Sequence, residues 1–183
     1  MRPLGKEYAA AKAMTGDFKR LPAGGYIAKI TAVENKEDKS YLNVTYDIAM
    51  GEFKGFYGDE WGQAHPYAHT FVRSYKEKAF GMFKGFLKAV DESNGTSFET
   101  RAENGFPEQE LVGKLIGVVI GYEEYVNDMG ETRERVRVAA TRSVDTIKSG
   151  NFTVPEVKKA TSAPAQAAPA GFEAVNPDDL PFF

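Results

Sequence analysis

The feature of this sequence that most constrains its fold is a strict two-residue alternation from Ser40 to Met50. Apolar side chains occupy one parity and mainly polar ones the other, namely Leu42, Val44, Tyr46 and Ile48 against Tyr41, Asn43, Thr45 and Asp47. Successive side chains of a β-strand point to opposite faces, so this segment predicts a strand with one buried and one solvent-facing side. Such a strand requires a sheet around it.

The flanking segments predict four more strands and one helix. Strands are predicted at Tyr26–Glu34, at Phe53–Tyr57 with a resumption at Ala68–Arg73, at Leu111–Val126, and at Arg133–Ser143 after a turn at Asn127–Gly130. The segment Glu77–Val90 has helical spacing, with Phe80, Phe83, Leu87 and Val90 on one stripe. This order is that of the OB-fold, a five-stranded, partly open barrel. We therefore expect a mainly β protein: a five-stranded OB-fold barrel with one amphipathic helix between strands 3 and 4.

Gly117 and Gly121 fall inside the fourth predicted strand. Glycine within a strand is typical of a tight bend, so we expect both residues to help the strand curve around a small barrel.

The chain is expected to divide into four parts: an N-terminal arm (1–20), the OB domain (21–150), a linker (151–175) and an acidic tip (176–183). The linker is expected to be disordered because Ala160–Ala174 is mostly Ala, Pro, Ser, Thr and Gln, which cannot build a core. Arg and Lys are absent after Lys159, and the C-terminal region carries only the acidic residues Glu173, Asp178 and Asp179.

Composition excludes several functional classes. The chain has no cysteine, which rules out disulfides and thiolate metal sites and favours an intracellular location. The longest apolar run, Leu115–Ile120, is far shorter than the roughly 20 residues of a membrane helix. Its two histidines, His65 and His69, lie in a predicted loop without helical spacing, so we expect no metal site. No phosphate-binding glycine loop or partnered nucleophile occurs, and we do not expect an enzyme.

Aromatic and basic residues are interleaved in the middle of the chain, which contains 13 Phe, 9 Tyr and 1 Trp overall. Single-stranded DNA is bound by aromatic rings that stack on bases and by cations that contact phosphates. The first candidates are six rings, of which we expect about two to four to face solvent while the others fill the core: Phe53, Phe56, Tyr57, Trp61, Tyr67 and Phe71. Trp61 is the leading candidate, and Tyr41 follows because it lies opposite the buried face of its strand.

Cations complete the predicted DNA site. Arg133, Arg135 and Arg137 share one face of the last strand, and the hairpins of an OB-fold border its binding groove. The remaining candidates are the cations and rings expected beside that groove: Lys36, Lys39, Arg73, Tyr122 and Tyr125. An alternative for the arginine row is an ordinary solvated strand face.

The C-terminal octapeptide has the chemistry of a docking peptide. It combines acidic with apolar residues, and its predicted partner-binding residues are Asp178, Asp179, Leu180, Pro181, Phe182 and Phe183. Such a peptide can place an aromatic ring and its carboxylate in an apolar pocket with a basic rim. We therefore expect it to recruit other proteins.

The segment Asp178-Asp179-Leu180-Pro181-Phe182 resembles the acidic tip of bacterial single-stranded DNA-binding proteins, typically Asp-Asp-Ile-Pro-Phe, with Phe183 as an addition. The body is similar to a phage family of OB-like proteins across about Leu21 to Ser143. That similarity lies in Leu21-Pro22-Ala23-Gly24-Gly25-Tyr26, Gly51-Glu52-Phe53-Lys54-Gly55, Leu111-Val112-Gly113-Lys114 and the closing hairpin.

The resemblance implies a phage protein of the infected bacterial cytoplasm that binds single-stranded DNA with little sequence preference during replication, recombination or repair. It would recruit replication or recombination proteins through its tip, and no cofactor is expected. Two alternatives stay open: an OB-like protein-interaction adaptor, and an RNA-binding OB protein. Neither the oligomeric state nor the site size follows from the sequence.

Overall fold

A computed structural model describes residues 20–160, and its main feature is one five-stranded antiparallel sheet. The strands are β1 (Gly24–Lys36), β2 (Tyr41–Ile48), β3 (Thr70–Ser74), β4 (Leu115–Val126) and β5 (Thr132–Arg142), in the order β3-β2-β1-β4-β5. The helices are α1 (Glu60–Ala64), α2 (Phe80–Asn94), α3 (Phe98–Arg101) and α4 (Val144–Lys148). Short 3-10 helices span Glu37–Lys39, Pro66–His69, Glu77–Ala79 and Glu108–Leu111. A mainly β fold with a helix between the third and fourth strands is confirmed.

The central strand β1 belongs to two ladders. Its first half pairs with β4, from Gly24 to Lys29, and its second half pairs with β2, from Ala28 to Lys36. A bulge between Ile30 and Ala32 shifts the register with β2, and bulges of this kind bend a strand and increase its twist. The outermost strands are β3 and β5, and no ladder joins them within residues 20–160, so the sheet described is open.

The hydrophobic core lies between one face of this sheet and α2. The alternation in β2 is confirmed: all four apolar residues of its inner parity are buried. They meet Ile116, Val118 and Ile120 of β4 and Phe86, Leu87 and Val90 of α2. Burying a side chain of this size stabilises the fold by roughly 1.5–3 kcal/mol.

The buried stripe of α2 is displaced from the predicted one. Phe80 is exposed and Phe83 is only partly buried, whereas Phe86, which is absent from the predicted stripe, is fully buried. The buried residues of α2 all lie in its middle part, between Phe86 and Val90. The first turn therefore extends beyond the part of the helix that covers the core.

The predicted strand at Phe53–Tyr57 is wrong, because the chain makes successive turns there. Gly51 and Gly55 have φ angles of +88° and +73°, which L-residues with side chains rarely adopt. The amide of Lys54 donates to the Gly51 carbonyl at 3.2 Å, and the amide of Gly58 donates to the Gly55 carbonyl at 3.0 Å. The third strand is only β3.

The segment after α4 covers the outer face of β1 and β4. A Cβ atom on Gly25 would lie 2.3 Å from the Phe152 ring, one on Gly117 would lie 2.4 Å from Ile147 Cγ1, and one on Gly121 would lie 3.1 Å from Pro155. Gly117 and Gly121 therefore make room for this covering layer, and their part in bending a barrel stays a prediction. We call residues 149–160 the C-terminal strap.

The C-terminal strap ends as an addition to β4. Lys158 donates its amide to the Tyr122 carbonyl at 3.0 Å and accepts from the amide of Glu124 at 2.8 Å, forming a parallel bridge. The first ten residues of the predicted linker are thus part of the body. The predicted N-terminal arm before Arg20, the rest of the linker and the tip Asp178–Phe183 lie outside the described residues. In the part that is described, every helix is too short or too polar to cross a bilayer.

Candidate nucleic-acid interface

A continuous series of aromatic rings fills the connection between β2 and β3, and we call it the ring ladder. Its members, in order of contact, are Phe53, Phe56, Tyr57, Trp61, His65 and Tyr67. Centroids of successive rings lie 4.7 to 6.5 Å apart, and Trp61 is stacked on both Tyr57 and His65, with interplanar angles of 25° and 19°. Exposure differs along the ladder: Tyr57 is 3% exposed, whereas Tyr67, at the end of the series, is 75% exposed.

Trp61 is held on a short helix, whereas the sequence indicated a loop. Asp59 caps α1 by accepting a hydrogen bond from the Gly62 amide at 3.0 Å. Gly62 is required at this point because a Cβ atom there would lie 2.0 Å from the Tyr57 carbonyl oxygen. The indole is half-buried, and its position is fixed by the rings on either side.

His69 ties the ring ladder to the sheet. Its Nδ1 atom lies 2.6 Å from the Tyr46 carbonyl oxygen, its Nε2 atom lies 3.2 Å from the Gly62 carbonyl oxygen, and its ring stacks on Tyr57 at 4.6 Å. Both partners are backbone carbonyl oxygens, so a ring nitrogen of His69 that carries a proton can donate to either one. The sequence analysis missed this role, which a lone histidine in a polar segment does not indicate.

Three of the predicted DNA-binding residues are core residues. Tyr57 and Phe71 are buried, and Arg73 is 8% exposed with its guanidinium 4.4 Å from the centre of the Phe71 ring and 5.9 Å from that of Phe86. Phe71 and Arg73 are two residues apart on β3 and share its inner face. Burial lowers the pKa of Arg73 to about 10. These three residues cannot stack on a base or meet a phosphate in this structure.

Two further tyrosines, Tyr26 and Tyr122, are anchored through their hydroxyl groups to the segment that leads into β1. The Tyr26 ring lies 5.7 Å from that of Phe53, and its hydroxyl donates to the Pro22 carbonyl at 2.7 Å. The Tyr122 hydroxyl donates to the Leu21 carbonyl at 2.8 Å. Tyr122 is thus anchored as part of the body, although its ring face carries the Arg20 guanidinium at 4.7 Å.

Burial controls the ionisation of the innermost tyrosines. It raises the pKa of Tyr57 to about 12, while a hydrogen bond with Tyr46 opposes that rise. Burial also raises the pKa of Tyr46 well above its ordinary value. Both phenols are therefore neutral over the physiological range, and the base of the ring ladder carries no phenolate that would repel a phosphate.

The arginines of β5 lie on the outer face of the β4–β5 hairpin. Arg133, Arg135 and Arg137 are paired in register with Tyr125, Glu123 and Gly121. Because opposite residues of a ladder share a face, the predicted alignment of the three arginines is confirmed.

Carboxylates already engage two of these arginines. Arg135 Nε donates to Glu123 at 2.7 Å, with the guanidinium 5.2 Å from the centre of the Tyr125 ring, and Arg133 donates to Glu131 at 2.9 Å. Arg137 is half-buried, and its Nε atom has no hydrogen-bond partner within residues 20–160. The row is therefore less free to bind phosphate than its sequence pattern indicated.

The first hairpin presents a smaller group of predicted residues. Lys36 forms an ion pair with Glu34, and it lies opposite the half-buried Tyr41 in the β1–β2 ladder. Lys39 is exposed in the 3-10 helix that follows β1. This turn is at the C-terminal end of β1, whereas the β4–β5 hairpin extends beyond its N-terminal end. The two groups of cations therefore lie toward opposite ends of β1.

Neither histidine is arranged as part of a metal centre. His65 Nδ1 lies 2.7 Å from the Trp61 carbonyl oxygen, and both ring nitrogens of His69 face carbonyl oxygens. Among the residues from 20 to 160, no group of three or more His, Asp or Glu side chains could hold an ion.

Comparison with protein-family models finds none that matches the chain, and comparison with curated proteins finds no match either.

Proposed function

We propose that the chain binds single-stranded DNA with little sequence preference and recruits replication or recombination proteins through its acidic tip. The observation that carries this proposal is the ring ladder, which places the exposed Tyr67 at the end of a packed series of rings. Stacking of a base on an aromatic ring contributes about 1–3 kcal/mol and does not depend on base identity. Rings that are fixed in advance lose little conformational entropy on binding.

The fold proposed for this function is an OB barrel. The order β3-β2-β1-β4-β5 leaves β3 and β5 as the strands that barrel closure would bring together, and α2 packs against both of them. Cross-strand nuclear Overhauser effects between β3 and β5 would support closure. Their absence in an otherwise assigned sheet would leave the open sheet as the fold.

The setting we propose is phage DNA replication, recombination or repair in the cytoplasm of the bacterial host, because the sequence resembles proteins of that setting. The tip Asp178-Asp179-Leu180-Pro181-Phe182-Phe183 is the proposed docking peptide. A purified polymerase, nuclease, helicase or recombinase of the same phage should bind the full chain and not a chain that ends at Val175. Equal binding of both chains would refute this role for the tip.

Fluorescence of Trp61, the chain's one tryptophan, tests the DNA-binding proposal. Titration with an oligothymidine should quench the emission, with an affinity that falls as salt rises, by a log–log slope of about −0.7 per phosphate contact. Tyr67→Ala should weaken binding by about 1–3 kcal/mol, the range expected for one stacked base. Met82→Ala is the matched control, since Met82 is similarly exposed at 71% but lies on α2.

The protein-interaction adaptor is the second candidate, and the ion pairs of Arg133 and Arg135 with carboxylates favour it. An absence of quenching at low salt would contradict DNA binding and leave the adaptor. An oligouridine that binds more tightly than the oligothymidine would instead indicate an RNA-binding protein.

A further inference from the structure

A cleft of about 420 Å³ lies between the turn after β1 and the segment that follows α3, and we call it the aromatic cleft. Its walls include the rings of Tyr75, Phe83 and Phe106. The Tyr75 and Phe83 rings are packed edge to face with their centroids 5.8 Å apart. Glu37 and Glu108 stand at its margin, and the lining contains no Lys or Arg. This is an apolar, aromatic surface with an acidic rim.

Two carboxylates in the lining, those of Glu37 and Glu108, place negative charge near Tyr75. Its hydroxyl donates to Asn35 Oδ1 at 2.8 Å, a bond that lowers its pKa. Even so, the pKa of Tyr75 is raised, first by partial burial and then by the carboxylate of Glu37, with Asp38 and Glu108 adding to the rise. A cation placed in the cleft would be attracted by the same carboxylates.

Arg101 lies beside the cleft and is already paired with Glu110 of the same chain. Arg101 donates to both carboxylate oxygens of Glu110, at 2.7 and 2.9 Å. Its guanidinium also lies 5.7 Å from the centre of the Phe106 ring. A ring of this cleft thus accepts a guanidinium within the distance at which cations and aromatic faces attract each other.

We propose that the aromatic cleft binds an Arg or Lys side chain presented by an extended segment of a partner protein. The aliphatic part of such a side chain covers the rings, and its charged end meets Glu37 and Glu108. Nucleic acid does not fit, because the rim would repel phosphates. The cleft is therefore a protein-binding surface separate from the ring ladder, and it does not depend on the proposed DNA-binding function.

Nuclear magnetic resonance of the full chain, titrated with acetyl-Phe-Arg-Phe-amide, tests this proposal. Shifts should be confined to the amides around the cleft, such as those of Asn35, Tyr75 and Phe106. The neutral peptide acetyl-Phe-Gln-Phe-amide should bind about five- to tenfold more weakly, because it lacks the cation. The double variant Glu37→Gln with Glu108→Gln should weaken the Arg peptide by a similar factor.

A matched control keeps the test specific. Asp145→Asn with Glu156→Gln removes the same charge from exposed positions on α4 and the C-terminal strap, and it should leave peptide affinity unchanged. Equal affinity for the two peptides, an equal loss in both double variants, or shifts that cluster outside the cleft would each overturn the proposal. The oligothymidine titration is read separately, so failure of DNA binding leaves this result interpretable.

Discussion

Gly117 is a position in the sheet where one added methyl group should strongly disturb the body. In Gly117→Ala the new Cβ atom would lie 2.4 Å from Ile147 Cγ1 and 2.8 and 2.9 Å from the carbonyl oxygens of Arg142 and Ser143. The ring or chain end of a side chain can move aside, but two carbonyl groups move only with the backbone that leads into α4. Forced overpacking of this kind costs about 1–3 kcal/mol, and we expect the upper part of that range.

Gly85→Ala should change the stability of the same protein in the opposite direction. Gly85 lies inside α2, and a Cβ atom there meets nothing within 4 Å. Replacing a helical glycine by alanine stabilises by about 0.5–1 kcal/mol. Gly25→Ala should fall between the two, because the atoms it meets belong to the Phe152 ring, which can swing away at the cost of its own packing.

Thermal unfolding followed by circular dichroism, together with urea titration, measures all three variants. A change of 1 kcal/mol shifts the midpoint by about 2–4 °C in a domain of this size. Gly117→Ala should therefore lower it by about 4–12 °C, and Gly85→Ala should raise it by about 1–4 °C. A Gly117→Ala protein as stable as the parent would refute the packing of α4 against β4.

Three further changes test particular contacts. His69→Phe leaves the Tyr46 carbonyl without its buried donor. The free energy of unfolding should therefore fall by about 1–3 kcal/mol, and Trp61 emission should shift to the red. Unchanged emission would contradict the role of His69 in connecting the ring ladder to the sheet. Arg73→Met keeps the packing and removes a desolvated cation, so the free energy of unfolding should stay the same or rise. The affinity for oligothymidine should not change. A loss of affinity would indicate that Arg73 belongs to the DNA interface. Hydrogen bonds from Lys159 and then from the Ala160 amide lower the pKa of Glu124. The contribution of Glu124 to docking of the C-terminal strap is therefore present above the ordinary carboxyl pKa, and it is lost as pH falls through the lowered value. The protection factor of the residue 160 amide, which compares its exchange rate with that of an unstructured peptide at the same pH, should fall in that acid range and not near neutrality.

Strands whose residue pattern reflects the burial of their two faces were predictable from the sequence. The alternation in β2 and the continuous apolar run in β4 each follow directly from the environment of their faces. Phe53–Tyr57 has the composition of a strand, but Gly51 and Gly55 allow the turns that replace it. Strand closure is a long-range property, and local periodicity carries no information about it.

The candidate site was predictable in its residue types and less so in its geometry. Trp61 lies on a helix of only five residues, which is too short for helical periodicity to appear. Arg73 shares the inner parity of β3 with Phe71, and a cation at an inner position is the exception to the usual pattern. Ion pairs such as Arg135 with Glu123 join residues of different strands, so they become visible only when the register is known.

The central claim is that unpaired bases stack on the exposed end of the ring ladder. Photo-crosslinking tests it most directly: the full chain is irradiated with an oligothymidine that carries one 5-iodouracil, and the attached residues are identified by mass spectrometry. We expect crosslinks at Trp61 and Tyr67, with loss of the second in Tyr67→Ala. Crosslinks confined to other surfaces, with neither of these residues modified, would contradict the claim.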